Sequence, residues 1–151
     1  MADNKATSSA TTFEMQTSVA TNIKAPADKI MRLLTDAKNF TKWNSTVVSL
    51  EGTIKPGETI QLISKLDPKR TFKLKVAEQT ATTLVWKDGF APMFSGIRTF
   101  KLTPKQDGST EFSMTEVFKG IMLPMIKGAL PDFKENFQQY AADLKKAAEN
   151  S

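Results

Sequence analysis

The chain has 151 residues, 40% hydrophobic and 25% charged, with a formal net charge of +5 and neither cysteine nor histidine. That length suits one domain with a real core. The missing residue types rule out Ser–His and Cys–His catalysis, metal sites built on His or Cys, and any disulfide framework.

Residues 1–12 are rich in Ala, Ser, Thr and Asn, without the apolar core of a secretory signal. They read as a disordered leader, with residues 13–151 forming a single domain. Phe13, Met15, Thr17, Val19, Thr21 and Ile23 alternate with polar neighbours, which predicts a half-buried strand. Ala25-Pro26-Ala27-Asp28 then opens a helix with the apolar stripe Ile30, Leu33 and Leu34. Asp36 begins a second short helix carrying Phe40 and Trp43, which Asn44-Ser45 ends. Strand signals follow at the spacing of an antiparallel meander: Val47 to Ile54, Thr59 to Leu66, Arg70 to Gln79, and Thr83 to Lys87. Gly89 to Met93 reads as a loop before the last two strands.

Those last strands carry the most informative residues. Phe94, Gly96, Arg98, Phe100 and Leu102 form one strand face, and Phe112, Met114, Glu116 and Phe118 form the next. Asp107-Gly108 between them is a hairpin signal, because Gly accepts the positive φ that a tight turn requires. Folding about it puts Leu102 opposite Phe112, Phe100 opposite Met114, and Arg98 opposite Glu116. An Arg and a Glu pointing inward among aromatic and aliphatic side chains predict a cavity rather than a solid core. The pair has two readings: a structural ion pair that fixes register, or an anchor for the polar end of a ligand in an apolar pocket.

Gly120 to Gly128 is apolar but punctuated by Gly and Pro, and is expected to form an entrance lip. Phe90, Pro92 and Phe94 form a second lip. The chain closes with a helix whose stripe is Phe133, Phe137, Tyr140, Ala141, Leu144 and Ala148. Strand, two short helices, six strands and a long helix predict an α+β helix-grip fold. In it a curved antiparallel sheet of about seven strands wraps the C-terminal helix, with the two short helices between strands 1 and 2.

This order resembles the START-like, or helix-grip, superfamily that includes the major birch-pollen allergen and polyketide cyclase/dehydrase-related proteins. The text that carries the likeness is Ile23 to Asp28, Phe40 to Asn44, Phe94 to Phe100, Asp107 to Phe112 and Glu116 to Gly120. The resemblance implies a cavity between sheet and final helix for a small hydrophobic or amphipathic, lipid- or polyketide-like molecule. It brings no fixed catalytic set.

The expected ligand contacts are Arg98, Glu116, Trp86, Phe72, Leu74, Phe94, Phe100, Met114, Phe118, Met122, Phe133 and Phe137, with Trp43 plugging one end. No catalytic residue, metal or cofactor is assigned. A cyclase- or dehydratase-like enzyme using Glu116 and Arg98, and a co-chaperone-like interaction module, stand as alternatives. Lys73, Lys75, Lys145 and Lys146 are scattered rather than clustered with exposed aromatics, so nucleic acid is not an expected partner. No apolar run nears the roughly 20 residues of a bilayer span. A monomer or weak homodimer in a reducing cytoplasm is expected.

Overall fold

The computed structural model describes residues 5–150. In chain order the strands are β1 (Thr7–Ala10), β2 (Glu14–Ile23), β3 (Val47–Glu51), β4 (Thr59–Ser64), β5 (Phe72–Gln79), β6 (Thr83–Phe90), β7 (Phe94–Pro104) and β8 (Thr110–Lys119). The helices are α1 (Ala27–Thr35), α2 (Phe40–Trp43), α3 (Leu123–Ile126) and α4 (Lys134–Glu149), with single 3₁₀ turns at Ala37–Asn39 and Lys127–Ala129. All eight strands join one antiparallel sheet in the order β1-β2-β8-β7-β6-β5-β4-β3. The architecture is the expected α+β grip, a curved open sheet holding the C-terminal helix, with one strand more than the seven anticipated.

The additional strand is β1, within the segment read as a disordered leader. Thr7 to Ala10 pairs with Ser18 to Met15, and the hydroxyls of Ser8 and Thr17 meet at 3.2 Å. Its four side chains are all exposed. Backbone pairing and hydroxyl contacts therefore hold it, and no apolar alternation marks it in the sequence. Residues 1–4 of the leader lie outside the described residues.

The hairpin at Asp107-Gly108 sets the register of the sheet's centre. Gly108 takes φ +87°, and Asp107 accepts hydrogen bonds from the backbone N–H and the hydroxyl of Ser109. Those bonds hold the Asp107 carboxyl below its ordinary pKa. Across the hairpin Leu102 faces Phe112, Phe100 faces Met114 and Arg98 faces Glu116. Register shifts in β3 (Val47/Ser49) and β5 (Val76/Glu78) add local twist to the β3–β6 side of the sheet.

Helix α4 fills the concave side. Phe137, Tyr140, Ala141, Leu144 and Ala148 are completely buried against the sheet, at helical spacing on one face. Polar clamps fix its C-terminal half. Asp143 Oδ2 accepts from the N–H and hydroxyl of Ser45 at 2.7 and 2.6 Å. Glu149 Oε2 accepts from the Lys24 N–H at 2.8 Å, and Lys145 Nζ donates to the Asn22 carbonyl at 2.6 Å. Helices α1 and α2 close the end of the grip at which Phe40, fully buried, meets Tyr140.

Candidate functional site

Three aligned rows of side chains form the middle of the concave face. Leu84, Phe100 and Met114 make the first row, Trp86, Arg98 and Glu116 the second, and Asp88, Gly96 and Phe118 the third. The first row is packed solid beneath α4, with all three residues fully buried. From the second row onward the sheet and the N-terminal half of α4 separate, leaving a cavity of about 540 Å³.

Of the residues expected to line it, Arg98, Glu116, Trp86, Phe72 and Leu74 do so from the sheet. Phe94, Phe118, Met122 and Phe133 do so nearer the mouth. Phe100, Met114 and Phe137 lie instead in the solid core, each fully buried and outside the lining. Tyr140 lies 6.0 Å from Phe100 and packs over that row. Phe137 backs the cavity through Arg98, whose guanidinium lies 5.1 Å from the ring centre. Trp43 is not in the lining either; half-buried at the edge of the core, it packs on Phe40 at 4.9 Å and Tyr140 at 6.0 Å.

Arg98 and Glu116 form a tight ion pair. Nε donates to Oε1 at 2.7 Å, Nη2 lies 2.6 Å from the same oxygen, and the side chains are only 17% and 13% exposed. Among the described residues Nη1 of Arg98 and Oε2 of Glu116 make no hydrogen bond, so a donor and an acceptor remain for a ligand. Trp86 is 1% exposed, and its indole N–H also lacks a partner. So does the Tyr140 hydroxyl; the Asn44 amide approaches it without forming a bond. Burial pushes the Tyr140 pKa far up, the Glu116 charge adds to this, and the Arg98 charge only partly opposes it.

The two segments expected to act as lips are joined to each other, and the second holds the short α3 and a 3₁₀ turn. The N–H groups of Ile121 and Met122 donate to the carbonyls of Pro92 and Met93 at 3.1 and 3.0 Å. The crossing requires Gly120, at φ +144°, because a Cβ there would fall on the Met93 carbonyl. Met122, Ile126 and Leu130 face the cavity, whereas Met125 is 80% exposed and points away. The Phe90 side chain lies outside the described residues.

Six polar lining residues were not expected from the sequence: Thr46, Ser64, Asp67, Arg70, Asp88 and Asn136. Asp88 was hidden because β6 runs to Phe90, beyond the Lys87 at which alternation with large apolar residues stops. Its position two residues after Trp86 was the available signal.

A curved antiparallel sheet gripping a long helix around an apolar cavity with a buried polar pair defines a START-like, helix-grip protein. The chain belongs to the family described as polyketide cyclase / dehydrase and lipid transport, whose model matches residues 13–149. Solved structures agree on the fold. A START superfamily protein from Mycobacterium smegmatis is 15% identical, with 89% of this chain and 97% of that one covered and a TM-score of 0.66. Truncated norcoclaurine synthase from Thalictrum flavum is 12% identical, covering 92% and 96%, with a TM-score of 0.67. A conserved protein of unknown function from Enterococcus faecalis is 16% identical, covering 96% and 77%, with a TM-score of 0.67. A comparison with curated proteins found no significant match. Among the described residues no helix is long and apolar enough to cross a membrane.

Proposed function

We propose that this protein binds a small hydrophobic or amphipathic molecule in the cavity between the sheet and α4, with Arg98 and Glu116 orienting its polar end. The observation that carries this reading is the 540 Å³ hollow lined by Trp86, Phe72, Phe94, Phe118 and Phe133 around one buried ion pair. Ligand sites are typically apolar concavities of roughly 300–1,000 Å³ with a few convergent polar groups. Membership of a family whose description includes lipid transport supports the same reading. The protein acts as a carrier or sensor, a monomer or weak homodimer in the cytoplasm.

Native mass spectrometry of the purified protein, followed by extraction of any retained molecule, tests it. A co-purifying hydrophobic or amphipathic small molecule is the expected result. An empty protein that also shows no thermal shift across a lipid and polyketide panel would sink the reading.

One observation favours a second reading, a cyclase- or dehydratase-like enzyme. Arg98 engages only one oxygen of Glu116, so Oε2 is available as a proton acceptor while Nη1 polarises a carbonyl. Under it, Glu116→Gln abolishes turnover of a polyketide-type substrate while retaining substrate binding.

A further inference from the structure

The charges in the cavity wall do not cancel, although the chain as a whole carries +5. Its lining holds Asp67, Asp88 and Glu116 against Arg70 and Arg98, and no lysine. Glu116 is neutralised by Arg98. Arg70 sits at the mouth over the Phe72 ring at 4.6 Å, next to Asp67 in the lining. Among the described residues neither the Asp67 nor the Asp88 carboxylate makes an ion pair or a hydrogen bond, and Asp88 is the one that stands beside the Arg98–Glu116 row, on the strand that carries Trp86.

The surroundings of Asp88 suit a cation. Its partner across the strands is Gly96, and the partner of Gly96 on the other side is Phe118. Because Gly96 has no side chain, the Phe118 ring lies across that position; a Cβ there would meet Cε1 of the ring at 3.0 Å. The same point is 3.5 Å from Glu116 Oε2, the oxygen Arg98 leaves unused. Two carboxylates and an aromatic ring thus flank the space above one glycine. Phe94 and Phe133 extend the aromatic wall, their rings 5.7 and 5.5 Å from that of Phe118. A cation gains from the Asp88 carboxylate and from the free Oε2 of Glu116, and more so beside an apolar aromatic wall that weakens screening. An anionic head group could reach only the free Nη1 of Arg98, and would lie there beside Glu116 Oε2 and Asp88.

We propose that the cavity selects amphiphiles bearing a protonated amine, which Asp88 and the free Oε2 of Glu116 hold beside the Phe118 ring while the apolar tail lies along Phe72, Leu74 and Trp86. This rests on the ligand-binding reading above and narrows it to one charge class.

Isothermal titration at neutral pH with octylamine, octanol and octanoic acid, matched in tail length, tests it on the unaltered protein. The amine is expected to bind about tenfold more tightly than the alcohol, the gain of one hydrogen-bonded charge pair, with the acid weakest. Asp88→Asn should bring the amine-to-alcohol ratio close to one, with the urea midpoint reporting that the variant is folded. Equal affinities for amine and alcohol, or tighter binding of the acid, overturn the proposal while leaving the cavity reading intact. If none of the three binds, the cavity reading itself falls, and the amine preference with it.

Discussion

Arg98 has exchanged water for one hydrogen bond and a close ion-pair contact to a single carboxylate oxygen and for the ring of Phe137. Removing one member of such a pair leaves the other charge desolvated without compensation, whereas removing both need not destabilise. Arg98→Leu is therefore expected to lower stability by about 2 kcal/mol, below the range for fully buried pairs because the cavity admits some water. Arg98→Leu combined with Glu116→Leu should recover most of that loss, and urea denaturation of the three proteins measures the coupling. Recovery of nothing would mean that the single-variant loss reflects packing on Phe137 rather than charge. Tyr140 poses the opposite case, a hydroxyl buried without a partner. Tyr140→Phe removes an unsatisfied group and is expected to raise stability by about 1 kcal/mol. It is the only tyrosine, so an absorbance titration reads it alone. With its pKa pushed far up by burial, no phenolate should appear before alkaline unfolding. At this scale the sequence revealed the Arg98–Glu116 pair, since alternation and one turn determine which side chains face each other. It concealed Asp88, because a carboxylate at the end of an apolar strand face looks like the start of a loop.

Among the elements, α4 is held unevenly. Its C-terminal half is clamped through Asp143, Lys145 and Glu149, whereas the half that borders the cavity follows the joined lips. Hydrogen exchange is expected to show amides of residues 139–149 protected like the central strands and those of 120–130 exchanging faster, since opening there breaks few buried contacts. Equal protection would remove the lips as the route of entry. The Glu149 clamp is also sensitive to acid. Bonds from Lys145 and from the Lys24 N–H hold its carboxyl below the ordinary range. A lowered folded-state pKa contributes stability that is present above the unfolded value and is lost as pH falls through the folded one. Glu149→Gln should therefore destabilise near neutrality and flatten the fall in urea midpoint on the acid side of the carboxylate range. An unchanged acid slope would show that this clamp does not contribute. The stripe that docks α4 could be read from spacing alone, as could the meander. Strand β1 could not, because its pairing uses backbone and hydroxyl groups that any Ser- and Thr-rich segment possesses.

For the molecule as a whole, the sequence indicated a grip with something held inside it, but not where packing ends and hollow begins. Phe100, Met114 and Phe137 have the same chemistry and periodicity as Phe94, Phe118 and Phe133. What separates the fully buried set from the cavity wall is how closely α4 packs over each row, which residue type does not reveal. That boundary makes the sign of a stability change depend on position. In a close-packed interior an added methylene group forces strain, at about 1–3 kcal/mol. Ala141, fully buried on α4 against the sheet, should follow that rule, with Ala141→Leu destabilising. Leu74 borders the hollow, and there the extra volume of Leu74→Phe has space to occupy on a strand that favours aromatic residues. It is expected to hold or raise stability by up to about 1 kcal/mol, while weakening octylamine or octanol binding by reducing the space for the tail. Thermal melts and titrations of the two variants decide this together. A destabilised Leu74→Phe with unaltered binding would place the hollow elsewhere, and a tolerated Ala141→Leu would mean that the core beneath α4 is looser than its burial implies.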